Sequence, residues 1–514
     1  MDGVSQRSRS WRFGVVYAAV ALAAVAARIN PWTAAVCFWN DEAFSWAVAR
    51  APWRELMAMV AQDTHPPAHY VLLHLWIDLF GDSIFAMRLL SGLFSAATVG
   101  LIYGAAWYGF RFPQPRLREL ATTAALLCAL NPACASTAYM ARMYAPLMFG
   151  TALSSLGCLI VWHRPQRWPG WWMWIGGSVL SLYNHNYGLF VVAGEFCWIT
   201  LALLVRADLR RRWFVARLAS AALLVAISYA PWGPVLMGQA RRVSGGFWIP
   251  PLQWDALAAL GAQLFAEPIS AITWGPLRGS GMLVLGIALG LLLVVPWFGA
   301  AVEWLFVSIV LVHAAGIVLG TALLKQSVFE VRYLLHLVPL AMVALASRAQ
   351  VIAWKAGRRG VELLLVGLVA ASGVATLWAR ASTQEAVREA AQRLARQVGP
   401  GDLVVGDAQC FLRLQYYLEH LQVSVPLAVY APQLREQHHR LVVYAPALER
   451  SRVLSSLEHL RVARLWTVAS VRSRLLLATI PGYRSVDTQV LYDRGCADAH
   501  HVVLRRWEPD QGAP

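Results

Sequence analysis

Apolar runs long enough to cross a bilayer, about 20 residues as helix, recur along the first three quarters of this chain. Hydrocarbon leaves backbone N–H and C=O groups no outside partner, so such runs fold as helices that satisfy themselves. Eleven spans are read from the sequence, near 13 to 28, 83 to 110, 118 to 133, 137 to 162, 170 to 184, 187 to 205, 214 to 237, 280 to 297, 300 to 323, 332 to 348 and 361 to 379. Only 14% of residues are charged and mean hydropathy is +0.50, which excludes an ordinary soluble protein.

The net charge of +16 does not point to nucleic acid, because the cations sit in alternate short loops, the pattern of cytoplasmic faces. They are Arg7, Arg9 and Arg12; Arg111, Arg116 and Arg118; Arg164 and Arg167; Arg206, Arg210, Arg211, Arg212 and Arg217; then Arg348, Lys355, Arg358 and Arg359. The N-terminus is therefore expected in the cytoplasm, and the loop 29–82 and everything after residue 380 outside it. A cleaved signal peptide is the competing account of residues 1–28, since small residues at Ala23 to Ala27 suit a signal peptidase. Seven cysteines form no metal-ligand spacing; Cys410 and Cys496 are the pair that could join.

Residues 381–514 change character. A helical pattern over Thr383 to Gln397 leads through Gly399-Pro400-Gly401-Asp402 into the apolar run Leu403-Val404-Val405. Leu441 to Tyr444, Leu465 to Val468 and Val502 to Leu504 read as further strands, alternating with helical patterns at Arg413 to Leu421 and Leu448 to Leu460. The expectation is a soluble α/β domain. No glycine-rich phosphate loop accompanies its first strand, and Asp402 and Asp407 read as turn residues. There is no internal repeat.

The first outer loop carries the chemistry. Phe44 to Val60 and His69 to Phe80 have apolar residues at helical spacing and read as helices along the membrane interface, where Trp39, Trp46, Trp53 and Trp76 suit the depth. Asp41-Glu42 precedes the first and Asp63 the second. Either acid could simply cap a helix, but two adjacent carboxylates beside hydrocarbon exceed what one cap requires. A carboxylate there can take a proton from an acceptor hydroxyl. Arg142, Lys325 and Arg332 are expected on the same face, where they would neutralise a phosphate.

The runs Asp41-Glu42-Ala43, Asp63-Thr64-His65-Pro66-Pro67-Ala68-His69-Tyr70 with its continuation to Trp76, and Arg88-Leu89-Leu90-Ser91 resemble the dolichyl-phosphate-mannose protein mannosyltransferase superfamily, which includes the bacterial aminoarabinose transferases. Arg142-Met143-Tyr144 and the Arg332-Tyr333 to Leu340 run are similar to later landmarks of that family, so the resemblance covers roughly residues 10–380. It implies the C-type glycosyltransferase (GT-C) fold in residues 1–380, with the α/β domain appended. It also implies inverting transfer of a hexosyl or pentosyl unit from a polyprenyl-phosphate sugar to a protein, lipid or glycan acceptor, outside a bacterial inner membrane.

By that resemblance Asp41 is the general base and Glu42 its partner. Arg142, Tyr144, Lys325, Arg332 and Tyr333 would bind the donor, its phosphate held by the three cations, and Asp63 and His65 would shape the sugar or acceptor pocket. Some GT-C relatives hold a divalent metal with acids in the second outer loop. Asn131 to Tyr139 contains no Asp or Glu, so no metal and no other cofactor is expected. His65 and His69 lie at zinc-like spacing, but Pro66-Pro67 separates them, which favours structural or substrate-contacting roles. His74 and His313 read as satisfied core groups, and Trp168, Trp171, Trp172 and Trp174 as an interfacial belt. Two other classes fit less well. A secondary transporter would show paired broken helices in two related halves; a lipid-binding sensor would not need Asp41.

Overall fold

A computed structural model of the chain describes residues 22–23, 25–29, 31–246, 249–251, 300–356, 367, 385–430, 453–457, 460–471, 473, 475, 479–493 and 501–510. Among them, six helical stretches are long and apolar enough to cross a membrane: Ile84–Gly109, Tyr144–His163, Gly188–Val205, Arg212–Ser244, Ala301–Leu324 and Val331–Arg348. Arg116–Leu130 and Pro132–Tyr139 meet the same criteria only when taken together, as a pair bent by 54°. These make the chain an integral membrane protein. The expected spans at 280 to 297 and 361 to 379 lie outside the described residues, apart from Gly367, as does most of 13 to 28.

The bend has a local cause. Pro132 cannot continue the preceding helix, and the Asn131 side chain accepts the Cys134 N–H at 3.0 Å, starting a new one.

The described chain divides into two compact units: residues 1–33, 64–72 and 85–377, and residues 34–63, 73–84 and 378–514. In the first, Tyr144–His163 and Trp168–Asn184 lie against each other so closely that a Cβ at Gly157 would collide with the Trp174 backbone, and one at Gly177 with that of Ser154. Small residues permit such approach. A buried carboxylate fastens a third helix to this pair. Glu195, on Gly188–Val205, accepts from Ser154 Oγ at 2.7 Å, Ser155 Oγ at 2.8 Å and Trp174 Nε1 at 2.9 Å. Trp171 and Trp174 are therefore buried in this packing rather than part of the belt read from the sequence, while Trp168 and Trp172 are exposed.

The second unit contains a six-stranded mixed sheet: β1 (Asp402–Asp407), β2 (Leu427–Tyr430), β3 (Val453–Leu454), β4 (Arg464–Ser470), β5 (Tyr483–Leu491) and β6 (Val502–Pro509), in the order β3-β2-β1-β4-β6-β5. The first four in that order run parallel; β6 pairs antiparallel with β4 and β5. Val405, Ala428, Leu465, Ala469 and Trp507 belong to its core. Asp402 accepts the Gly399 N–H at 3.0 Å across a turn in which Gly401 takes φ +83°. Val453 and Leu454 are in a strand, not the helix expected over Leu448 to Leu460, and the 441 to 444 strand lies outside the described residues.

Ala34–Asp63, read from sequence as part of the membrane domain, belongs to this second unit. Its first stretch forms two helices rather than one, Asn40–Ala49 and Trp53–Gln62, because Pro52 interrupts them. From Asp41 to Ala49 every residue is buried, whereas a helix lying on a lipid surface keeps a wet face. The Phe411–His420 helix supplies part of the cover. Tyr416 packs on Phe38 at 4.5 Å between ring centroids and on Trp46 at 5.2 Å.

Candidate functional site

In the second unit, Asp41 and Glu42 occupy the first turn of Asn40–Ala49, 4% and 0% exposed. Free helix N–H groups and the helix dipole favour anions there. Glu42 turns back toward the Trp39 N–H at 3.5 Å, so part of its role is local capping. The two ends of the helix are tied by buried or half-buried groups. Upstream, Phe38 N–H donates to Glu385 Oε2 at 3.0 Å, and the Tyr417 hydroxyl donates to the same oxygen at 2.6 Å. Arg388 and Arg413 stand 3.6 and 3.8 Å from that carboxylate. Burial raises the Glu385 pKa, with the two arginines opposing. Downstream, Trp46 Nε1 donates to Asp82 Oδ2 at 2.9 Å, and His420 Nε2 lies 3.2 Å from Asp82 Oδ1. That hydrogen bond holds Asp82 well below the usual carboxylate range. Asp63, 4% exposed, ends the Trp53–Gln62 helix rather than starting the next.

In the first unit a buried cluster of imidazoles, phenols and arginines gathers four separate segments. Thr64 and His65 are strapped down through their carbonyls, which accept from Asn186 Nδ2 at 3.0 Å and Gln239 Nε2 at 3.3 Å. The His65 ring lies 5.2 Å from His185 and 6.2 Å from Tyr333; His185 lies 4.6 Å from Tyr333. Arg142, 3% exposed, places Nη1 3.5 Å from the Tyr70 hydroxyl. Arg332 is half-buried, 3.5 Å from Glu330. His69 donates from Nε2 to the Ala141 carbonyl at 3.0 Å, and burial with the Arg142 charge pushes its pKa down to about 3. It is a neutral group there.

The expected residues thus divide. His65, Arg142, Arg332 and Tyr333 share this cluster. Tyr144 is buried at the start of its helix, which packs against the Val331–Leu337 turn. Lys325 is exposed and takes a left-handed φ of 52° at the end of Ala301–Leu324. His74 is satisfied by the Ala49 carbonyl at 2.6 Å; His313 bonds the Ile309 carbonyl at 2.8 Å and the His336 ring at 3.1 Å. Among the described residues no group of three His, Cys, Asp or Glu is arranged to hold a metal. Cys410 is a free thiol, so it does not pair with Cys496, while Cys37 is disulfide-bonded.

His185, Glu385 and Glu195 were not among the expected site or anchoring residues. The signal for His185 was present, as Asn184-His185-Asn186 is a polar island between two apolar spans.

No family model matches the chain, and no curated protein matches it. Solved structures do. ArnT from Cupriavidus metallidurans in the apo state superposes with a TM-score of 0.60 at 14% identity, covering 97% of this chain and 98% of that one. The same protein bound to undecaprenyl phosphate gives 0.55 at 14% identity over 96% and 98%. The Archaeoglobus fulgidus oligosaccharyltransferase in complex with Zn and sulfate gives 0.50 at 11% identity over 88% and 68%. At such identities the likeness is one of fold: the chain has the GT-C fold, with a C-terminal α/β domain.

Proposed function

We propose that this protein is an inverting glycosyltransferase that moves a sugar from a polyprenyl-phosphate monosaccharide to an acceptor hydroxyl on the outer face of the membrane. The observation that carries it is the cluster in which His65, His185 and Tyr333 pack ring on ring in the same unit as buried Arg142, with half-buried Arg332 6.0 Å from the Tyr333 ring. Cations placed at apolar depth are costly and mark anionic ligands, and arginine's planar fork suits phosphate oxygens. The neighbour from C. metallidurans holds undecaprenyl phosphate, a ligand of that chemistry. Fold alone does not give function, so the cluster is the stronger support.

In the proposed reaction the acceptor oxygen attacks the anomeric carbon from the face opposite the phosphate. The bond from that carbon to the phosphate oxygen breaks, and its electron pair leaves on polyprenyl phosphate. The acceptor proton passes to Asp41. Arg142 and Arg332, with Lys325, balance the charge that develops on the leaving phosphate, an effect strengthened where water is excluded. Glu42 would act as the partner of Asp41, and Tyr144 and Tyr333 would contact the donor. The acid-free segment Asn131 to Tyr139 favours transfer without a divalent metal. The positive loops favour a cytoplasmic N-terminus and an outward C-terminal domain in a bacterial inner membrane.

The test is transfer from a panel of radiolabelled polyprenyl-phosphate sugars by purified protein, with and without a chelator, wild type beside R142A and R332A. Transfer that survives chelation and falls in both variants with a raised donor KM supports the proposal. Absence of turnover with every donor and a membrane extract, in folded protein, contradicts it.

A further inference from the structure

His185 is 3% exposed in the turn between Trp168–Asn184 and Gly188–Val205. Its Nδ1 accepts the backbone N–H of Tyr187 at 3.1 Å. Burial, followed by the charges of neighbouring groups that include Arg142 and Arg332, holds its pKa well below the usual histidine value. The ring is therefore neutral, and a neutral imidazole has one lone pair and one N–H. With the lone pair on Nδ1 committed to Tyr187, the proton is on Nε2. That Nε2–H is buried and has no hydrogen-bond partner among the described residues.

A buried donor left unmade is expensive, and each such group in a native structure calls for an acceptor. Two features narrow which one. Arg332 holds its guanidinium 6.0 Å from the centre of the Tyr333 ring, which itself packs on His185 at 4.6 Å, so an anion is favoured over a neutral acceptor. The ring packs against His65 and Tyr333 at 5.2 and 4.6 Å, and the Tyr187 N–H on Nδ1 sets its orientation. We infer that His185 donates its Nε2–H to a phosphate oxygen of the polyprenyl-phosphate ligand, beside Arg142 and Arg332. The inference rests on the glycosyltransferase proposal above and adds to it a neutral, orientation-fixing donor where the sequence indicated only cations. Such a donor adds direction: one N–H on an oriented ring selects one oxygen position, beside the fork of the guanidinium groups.

The experiment is equilibrium binding of undecaprenyl phosphate to the full-length protein in detergent, comparing wild type with H185A, H185F and H185N. H185F keeps an aromatic ring against Tyr333 and loses the donor; H185N loses the ring and keeps an N–H. The expected result is binding weakened about tenfold to a hundredfold in H185A and H185F, with H185N between them and wild type. Wild-type affinity in a folded H185F, or equal weakening in H185F and H185N, overturns the donor role. Inorganic phosphate is the second arm: His185-dependent binding as tight as that of the lipid would reassign the site to free anion and overturn the lipid assignment. Failure of folded wild-type protein to bind undecaprenyl phosphate would instead overturn the proposed function, on which this inference depends.

Discussion

Glu385 accepts the backbone N–H of Phe38 at 3.0 Å, and Phe38 stands three residues ahead of Asp41. Glu385 thus fixes the approach to the helix that carries the acidic pair. Removing the carboxylate strands a buried N–H and two buried or half-buried guanidinium groups at once. E385A is expected to cost about 3 kcal/mol or more in the stability of this unit and to lower turnover with little change in undecaprenyl phosphate affinity. Combined with D41N it should add no further loss of rate, because both act through one group. Additive losses in the double mutant would refute the coupling.

The Asp82–His420 pair ties the same helix through Trp46 and should make stability depend on pH. Its hydrogen bond to Asp82 raises the His420 pKa above 6.5, so that contribution is complete below pH 6.5 and is lost as pH rises through the raised value. Asp82 is held below 3.8, so its contribution is present above pH 3.8 and is lost as pH falls through the lowered value. Thermal unfolding should therefore show the wild type exceeding D82N by more at pH 6 than at pH 8.5. A constant gap across that range would mean the pair does not titrate as described.

Glu195 is a structural knot. E195A leaves the hydroxyls of Ser154 and Ser155 and the Trp174 indole N–H without their shared acceptor. The expected loss is about 1–3 kcal/mol for each stranded donor before relaxation, read as a lower unfolding temperature in detergent with unchanged undecaprenyl phosphate affinity. A variant as stable as wild type would show that water or rotamer change replaces the carboxylate.

Much of this was legible in the chain because it is written locally. A run of about 20 apolar residues announces a span by itself, and Gly399-Pro400-Gly401-Asp402 before Leu403 announces a turn into a strand. Pro52 and Pro132 marked breaks that the apolar pattern alone runs through. What could not be read was assembled from distant segments. Phe38 meets Glu385 across 347 positions, and that contact, with Tyr416 on Trp46, turns an apparent interfacial helix into a buried one. Likewise His185 was visible as a polar residue between spans, but its neighbours His65 and Tyr333 arrive from opposite ends of the membrane region. Glu195 was hidden inside an apolar run, since its three donors lie on other helices.

The central claim is that Asp41 removes the acceptor proton, and single-turnover transfer by D41N beside undecaprenyl phosphate binding tests it most directly. A general base contributes about 100- to 10,000-fold. D41N should lose transfer by that factor while binding the lipid as wild type does; near-normal transfer by a folded D41N would contradict the account.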